Sequence, residues 1–288
     1  MTELDPRINA ARPDLADIRL RHVYPAERYA EGEVLRVASA TAAFRGRPAA
    51  DATMLTEGLH GEAVRVFETT GEGWCWAQLE ADSYVGWVAR SDLAHARAEP
   101  EYRVTALRTP VFAGPDIKLA PLMALSLGAR VHVGGEAEDH NARYGLLDPA
   151  GAVVMQHLGA AEAHESDPVA VAERFLGTPY LWGGRTSFGI DCSALVQVAC
   201  EACGIAAPRD SDMQRNGLGE ALDLSAGVPE LKRGDLVFWR GHVGIMQDGE
   251  RLLHANAFHM AVASEPLRDT LSRFEAKGLT LAAIRRLV

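Results

Sequence analysis

The most informative stretch of this sequence is Gly189-Ile190-Asp191-Cys192-Ser193-Ala194-Leu195-Val196, where a small, polar segment turns into an apolar run with helical spacing. This pattern predicts a helix that begins at or near Cys192. Backbone N–H groups at a helix N-terminus lack intrahelical partners and carry the positive end of the helix dipole. We therefore expect the Cys192 thiol to be held as a thiolate and to act as a nucleophile.

Two histidines downstream of this helix occur in short apolar segments with strand character. His242 lies in Gly241-His242-Val243-Gly244-Ile245-Met246, and His254 lies in Leu252-Leu253-His254-Ala255. Together with a thiol, two imidazoles supply a general base and a group that orients it. Because the helix precedes the predicted strands 235–239, 243–246 and 251–254, this part of the chain is predicted to be an α+β domain.

Composition limits the classes of partner. The chain has 288 residues, 48% hydrophobic content and a formal net charge of −10, which is typical of a globular protein of more than one domain. Nucleic acid and membrane surfaces are not expected partners, because no basic patch is visible. The N-terminus lacks the pattern of a secretion signal, so we expect a cytoplasmic protein whose cysteines stay reduced.

Differences in composition and hydrophobic pattern divide the chain into four parts. Residues 1–33 show no clear hydrophobic period and form an N-terminal extension, which we expect to wrap the surface or form a short helix. Residues 34–96 and 101–160 consist of short β-rich pieces broken by Gly and Asp, typical of small barrels. The similarity of 61–66 to 128–133 predicts that the two barrels are duplicates. Residues 165–288 form the domain that carries the thiol and the histidines.

Five short motifs of this last domain occur together in order. They resemble the motifs of the NlpC family of cell-wall cysteine peptidases over about 165–288, and they are Gly177-Thr178-Pro179-Tyr180-Leu181-Trp182-Gly183-Gly184, Asp191-Cys192-Ser193, Gly234-Asp235-Leu236-Val237-Phe238-Trp239, Gly241-His242-Val243-Gly244-Ile245 and Leu253-His254-Ala255. The resemblance implies a papain-like catalytic domain that follows two small SH3-like β-barrels.

The resemblance also implies roles for the catalytic residues. Cys192 attacks the scissile carbonyl, His242 is the general base that then protonates the leaving amine, and His254 orients His242. Tyr180 is expected to hold the developing oxyanion together with the backbone N–H of Cys192. Asn256 and His259 are alternative orienting residues, since strand alternation puts Asn256 on the same face as His254.

A further segment, Arg209-Asp210-Ser211-Asp212-Met213-Gln214, resembles the part of the two-barrel family members that binds the free amine of the substrate. The resemblance implies that Asp210 pairs with the ammonium and that Ser211 hydrogen-bonds to it. A helix N-cap at either residue is an equally good interpretation. Asp191 and Ser193 are expected to contact the peptide, although Asp191 is also suited to cap the helix.

In that subfamily the first barrel closes one end of the cleft with an acid and a tyrosine. Tyr84 matches the tyrosine, and Glu57 is our choice for the acid, with Glu62 as its rival. The alternatives are that Tyr84 is an ordinary barrel aromatic and that Glu57 is a solvated loop charge.

The remaining cysteines are interpreted as structural. Cys200 and Cys203 form a Cys-x-x-Cys pair without a second pair to complete a zinc site, and Cys75 lies in a predicted barrel strand. No metal or cofactor is expected.

The sequence thus predicts a cysteine peptidase that cuts the γ-D-glutamyl–diamino acid bond of murein peptides with a free N-terminal L-Ala, as in cell-wall recycling. The rival hypotheses are an endopeptidase or amidase that acts on polymeric wall, and a wall-binding adaptor with an inactive catalytic domain. The sequence leaves the choice between diaminopimelate and lysine open.

Overall fold

The computed structural model describes residues 4–287, and the chain forms two compact units that divide between Ala163 and His164. Among the described residues, no helix has the length and apolar content that crossing a bilayer requires.

The described part of the predicted N-terminal extension, residues 4–33, contains a short 3-10 helix at Ile18–Leu20 and is integrated into the first unit, whereas residues 1–3 lie outside the described residues. Strand β1 (Leu15–Asp17) pairs in parallel with β2 (Arg28–Ala30). Leu15 is 1% exposed and belongs to a buried cluster; its other members are Ala10, Phe67, Trp76 and Val85. The guanidinium of Arg12 lies 4.3 Å from the centroid of the Trp76 ring, a cation–π contact that fixes the segment against the following barrel.

The first barrel is a seven-stranded antiparallel sheet in the order β5-β4-β8-β7-β6-β3-β9. Its strands are β3 (Glu33–Val37), β4 (Thr41–Arg45), β5 (Met54–Leu59), β6 (Ala63–Thr69), β7 (Trp74–Leu79), β8 (Val85–Ala89) and β9 (Leu93–Ala94). Alternating side chains of these strands fill the interior, and Phe44, Val64 and Leu79 are fully buried there.

The second strand-rich segment has its own core around Val111, Leu125 and Val153. Its strands are β10 (Tyr102–Val104), β11 (Arg108–Phe112), β12 (Pro121–Ser126), β13 (Arg130–Val131), β14 (Val133–Glu138), β15 (Arg143–Leu147), β16 (Ala152–Val154) and β17 (Leu158–Ala160). Gly61 and Gly128, at matching positions of the repeated sequence, both take positive φ angles, of 78° and 91°. The two similar runs therefore share a left-handed turn that only glycine adopts readily.

The second unit is built on a six-stranded antiparallel sheet in the order β20-β25-β21-β22-β23-β24. Its strands are β18 (Arg185–Thr186), β19 (Gly189–Ile190), β20 (Glu220–Ala221), β21 (Asp235–Trp239), β22 (His242–Met246), β23 (Arg251–Asn256), β24 (Ala261–Pro266) and β25 (Leu281–Arg286). Its helices are α1 (Pro168–Glu173), α2 (Cys192–Ala202), α3 (Ser211–Gly217) and α4 (Leu267–Glu275). The α+β prediction is confirmed.

Helix α2 packs against β22 and β23, whereas α4 packs against β24 and covers apolar side chains of the sheet. Trp239 and Leu252 lie in this cluster with Leu267 of α4, and Phe274 packs against them. The predicted nucleophile and histidines therefore lie where helix α2 packs against strands β22 and β23.

Integration of the extension leads to a stability prediction. Leu15→Ala should lower the free energy of unfolding of the first unit by about 3 kcal/mol, because it leaves a cavity in a packed cluster. Leu119→Ala, at a residue that is 42% exposed, is the control and should change it by less than about 0.5 kcal/mol. Calorimetry in which both variants unfold like the parent would contradict the integration of the extension.

Candidate active site

The helix that carries the predicted nucleophile begins at the predicted residue. Asp191 is the N-cap of α2, and its Oδ1 accepts a hydrogen bond of 2.8 Å from the backbone N–H of Ala194. This satisfies one of the donors that a helix N-terminus leaves without a partner. Cys192 is therefore the first residue of the helix, and it is 7% exposed.

The Asp191 carboxylate is also the centre of a buried polar network. Both of its oxygens accept hydrogen bonds from the guanidinium of Arg209, at 3.0 and 2.6 Å, and Oδ2 accepts the backbone N–H of Gly183. The hydroxyl of Ser193 donates to Asp191 and accepts from Arg209. In this structure Asp191 and Ser193 are thus engaged in fixing the start of the helix, and their expected contact with a peptide stays a prediction.

The segment predicted to bind a free amine lies beside this network. Asp210 occupies the N-cap position of α3, where its backbone carbonyl accepts the N–H of Gln214, and Ser211 is the first helical residue. The side-chain amide of Gln214 donates to the carbonyl of Ser193 at 2.9 Å. The start of α3 is thereby fixed against the start of α2, next to Cys192.

The two histidines are joined directly. Nε2 of His242 and Nδ1 of His254 lie 2.8 Å apart, and the rings meet edge to face. Strands β22 and β23 place them on the same face, and Gly244 between them leaves the necessary space. A Cβ at Gly244 would lie 3.1 Å from the Cβ of His254 and 2.7 Å from Leu252, so a side chain there would displace the second histidine.

Hydrogen bonds distinguish the three candidates for the residue that orients His242. His254 is the one in hydrogen-bond contact with His242. Asn256 instead donates to the backbone carbonyl of His254 and accepts from the backbone and the ring of His259. Asn256 and His259 therefore form a neighbouring turn, and their alternative role has no support from these contacts.

The thiol lies next to the histidine strand. The backbone N–H groups of Val243 and Ser193 donate to Cys192 and act to lower its pKa. Val243 directly follows His242 in β22, so this hydrogen bond places the sulfur beside the start of that strand.

The expected ionisation of the thiol is not what the structure shows. Burial raises the pKa of Cys192 to about 12, and the negative charge of Asp191 acts in the same direction. The expectation took account of the helix N-terminus but neither of the burial of the sulfur nor of the carboxylate that caps the helix. At neutral pH the resting site holds a protonated thiol.

His242 is the matching neutral partner. Burial lowers its pKa to about 3, the positive charge of Arg273 lowers it further, and any protonation of His254 would act in the same direction. Its ring is held by aromatic neighbours, with the Phe274 ring centroid at 5.3 Å and the Trp239 centroid at 5.8 Å. A neutral imidazole of fixed orientation is suited to accept a proton from the thiol as the sulfur reacts.

Tyr180 is half-buried near the nucleophile. Its backbone N–H donates to the carbonyl of Met260, and its backbone forms a bridge with Ile190 just before the helix. Burial raises the pKa of the Tyr180 hydroxyl, and the charge of an ionised Cys192 raises it further, so the group remains a hydrogen-bond donor at neutral pH.

Two residues of the site were missed by sequence reasoning. Nε2 of His254 lies 2.8 Å from Oε1 of Glu265, and the other carboxylate oxygen accepts a hydrogen bond of 2.9 Å from Arg273. Glu265 is in β24, paired with the strand of His254, and Arg273 is in α4. The only signal in the sequence was an acidic residue in the strand that follows the His254 strand.

The predicted gating residues belong to the first unit. Glu57 lies in β5 and is 9% exposed, so it is not a solvated loop charge, and Glu62 accepts a hydrogen bond from the N–H of Leu59. Tyr84 is 4% exposed and is part of the core cluster of the first barrel. Their expected role in closing the cleft stays a prediction.

The other cysteines occupy the predicted elements. Cys200 is buried in α2, Cys203 stands at its C-cap, and Cys75 is in barrel strand β7. Among the residues that the structure describes, no group of His, Cys, Asp and Glu has the arrangement of a metal site.

Comparison with known proteins agrees with this arrangement. Residues 177–274 match the NlpC/P60 family, and residues 44–93 match a family described as the bacterial dipeptidyl-peptidase Sh3 domain. A crystal structure of an NlpC/P60 family protein from Bacillus cereus ATCC 10987 superimposes with a TM-score of 0.71 at 20% identity, covering 88% of this chain and 99% of that one. The chain therefore carries an NlpC/P60 domain and a bacterial SH3 domain; the second barrel remains a prediction as an SH3-like domain.

Among curated relatives, the γ-D-glutamyl-L-lysine dipeptidyl-peptidase of Bacillus subtilis (strain 168) is 34% identical over 142 residues, covering 46% of this chain and 43% of that protein. The probable endopeptidase NlpC homolog of Haemophilus influenzae is 42% identical over 90 residues, covering 30% of this chain and 46% of that protein. The chain thus spans less than half the length of these two relatives.

The charge state of the site leads to a spectroscopic prediction. Because its pKa is raised, Cys192 should stay protonated from pH 5 to about 10, so the thiolate absorbance at 240 nm that depends on this residue should not develop in this range. The measurement is the difference spectrum between the parent and Cys192→Ser, with Cys200→Ser as the control for a buried thiol outside the site. A thiolate step below pH 7 that is lost only in Cys192→Ser would contradict the neutral site.

Proposed function

We propose that this protein is a cysteine peptidase that hydrolyses the γ-D-glutamyl–diamino acid bond of short murein peptides whose N-terminal L-Ala is free. The observation that carries the proposal is the hydrogen bond of 2.8 Å between His242 and His254 beside the thiol of Cys192. The dipeptidyl-peptidase activity for which the Bacillus subtilis relative and the SH3 family are named supports this specificity.

The first half of the reaction follows from the neutral state of the site. The thiol proton of Cys192 moves to His242 while the sulfur attacks the γ-carbonyl carbon, because a free thiolate is disfavoured beforehand. Negative charge develops on the carbonyl oxygen, where the hydroxyl of Tyr180 and the backbone N–H of Cys192 act as donors. The protonated His242 then gives its proton to the leaving amine as the C–N bond breaks, and a thioester remains on the sulfur.

The second half regenerates the enzyme. Water attacks the thioester carbonyl and gives a proton to His242, and the C–S bond breaks as this proton returns to the sulfur. The products are L-Ala-D-Glu with a free γ-carboxylate and the diamino acid portion with a free amine.

Selection of a free N-terminus is assigned to the start of α3. Asp210 lies at this position, adjacent in sequence to Arg209, which is hydrogen-bonded to the cap of the catalytic helix. Binding a peptide with an acylated N-terminus would leave this carboxylate desolvated and without a cationic partner. This costs binding free energy, so such a peptide would be rejected. Intact wall, in which this alanine is acylated, would then not be a substrate, and the proposal places the enzyme in cytoplasmic recycling of released peptides.

The second candidate function is an endopeptidase on polymeric wall. The name of the Haemophilus influenzae relative favours it. The two functions differ in whether a free amine is required.

The deciding experiment compares L-Ala-γ-D-Glu-diaminopimelate and L-Ala-γ-D-Glu-L-Lys with their N-acetylated forms. We expect kcat/KM for the free peptides to exceed that for the acetylated peptides by about 30-fold or more, the equivalent of a lost buried charge pair. Asp210→Asn should reduce this preference, whereas Asp223→Asn, at an exposed residue in another segment, should preserve it.

Equal cleavage of free and acetylated peptides would refute amine selection and favour the endopeptidase. Cleavage that persists in Cys192→Ala would refute the cysteine mechanism for both candidates.

A further inference from the structure

The carboxylate of Glu265 contacts His254, which in turn contacts His242. It is 9% exposed, and it holds His254 through a contact of 2.8 Å between Oε1 and Nε2. His254 is fully buried, so both of its ring nitrogens have their partners within the protein, His242 on one side and Glu265 on the other.

Helix α4 keeps this carboxylate ionised. Burial opposes its ionisation, but hydrogen bonds from His254, Arg273 and Thr270 hold the pKa of Glu265 well below its usual range. Arg273 bonds to both carboxylate oxygens, and its guanidinium lies 4.3 Å from the centroid of the Phe258 ring. The acid is therefore held in one orientation by a charged, bidentate partner.

An ionised carboxylate can only accept hydrogen bonds, so His254 must carry a proton on Nε2. Burial lowers the pKa of His254, so its ring is neutral and Nδ1 carries no proton. Nδ1 must then accept, which requires that His242 donates from Nε2. A neutral His242 with its proton on Nε2 has an unprotonated Nδ1, the form that can take the thiol proton of Cys192.

We propose that Glu265 is a positioning residue that fixes the proton positions of His254 and His242, and that Arg273 holds the Glu265 carboxylate in place and, together with burial, opposes protonation of His254. The inference rests on the proposed function for its kinetic consequences, but the proton positions exist in the resting protein. Neither residue touches the substrate; both act through the histidines.

The role of Arg273 follows from what would happen if His254 were doubly protonated. A doubly protonated His254 would donate from Nδ1 to Nε2 of His242 and leave the His242 proton on Nδ1, where it blocks the base. The positive charge of Arg273 acts against protonation of both histidines. The other charged groups that act on them are Glu265 of β24, which raises both pKa values, and His259 of the β23–β24 loop, which lowers that of His254.

Glu265→Gln tests the positioning step. The amide has one accepting oxygen in place of two and must turn its NH₂ towards a donor, so the bidentate contact with Arg273 and the acceptor for His254 cannot both be retained. We expect kcat to fall by about 100-fold with KM within about twofold, since orientation of the base and not binding is lost.

Arg273→Met and Arg273→Lys form a matched pair for the charge. Because Arg273 lowers the pKa of both histidines, its loss should let them rise. In Arg273→Met the acid limb of kcat/KM should therefore move to higher pH by about one unit. Arg273→Lys keeps the charge and should leave the limb near that of the parent. A structural role alone would lower stability in both variants without separating their pH profiles.

Nitrogen NMR of the ¹⁵N-histidine-labelled protein reads the proton positions without any substrate, with assignments from His242→Gln and His254→Gln. We expect Nε2 of both histidines to be protonated and both Nδ1 atoms unprotonated, and Glu265→Gln to change this pattern. If Glu265→Gln does not fold, the parent spectrum and the two Arg273 variants still decide.

The proposal is overturned if the parent shows a protonated Nδ1 on His242, if Glu265→Gln retains both the pattern and kcat, or if the Met and Lys variants share one pH profile. If no murein peptide is hydrolysed, the proposed function fails, and the NMR spectra alone decide on Glu265.

Discussion

The hydrogen bond between Nε2 of His242 and Nδ1 of His254 is the interaction on which this site depends. It exists because two neighbouring antiparallel strands place the rings on one face, with a glycine between them that has no side chain to separate them. The bond occupies one nitrogen of His242 and leaves the other for the thiol. Contacts that hold His254 in place therefore also hold the base, His242. The Glu265–Arg273 pair is one of these contacts, although it is not among the reacting groups.

A second constraint acts on the nucleophile. Asp191 caps the catalytic helix and is bound by the buried Arg209, so the helix start is held by a charge pair instead of by contacts with solvent. The same carboxylate places a negative charge next to the sulfur and, with burial, keeps the thiol protonated. Because the thiol and His242 are both neutral at rest, charge separates only when the sulfur attacks a substrate carbonyl. Proton transfer is therefore coupled to formation of the carbon–sulfur bond.

How much of this the sequence could predict depended on the range of the interactions. The start of the helix at Cys192, the strands around both histidines and the α+β class follow from local patterns, and those features are present in the structure. Glu265 could not be found in this way, because its contact with His254 is set by the register of the β23–β24 hairpin. Arg273 reaches the same point from a helix, a placement that no local period indicates.

The charge state of the thiol and the packing of residues 4–33 could not be predicted from local sequence patterns, for related reasons. A helix N-terminus is a local feature, whereas the depth of burial and the net effect of Asp191 and Arg209 require the tertiary structure. The extension has no hydrophobic period because only a few of its residues, such as Leu15, enter a cluster that is completed by distant barrel residues. Single anchoring residues of this kind leave no periodic signal.

The most direct test of the central claim, that the sulfur of Cys192 forms a bond to the substrate with His242 as its base, is mass spectrometry of the protein after acid quench during turnover of L-Ala-γ-D-Glu-diaminopimelate. The account predicts an L-Ala-D-Glu thioester on the peptide that contains residue 192, and neither thioester nor product with Cys192→Ala. Product formation at the parental rate by Cys192→Ala, with no adduct on the parent protein, would contradict it.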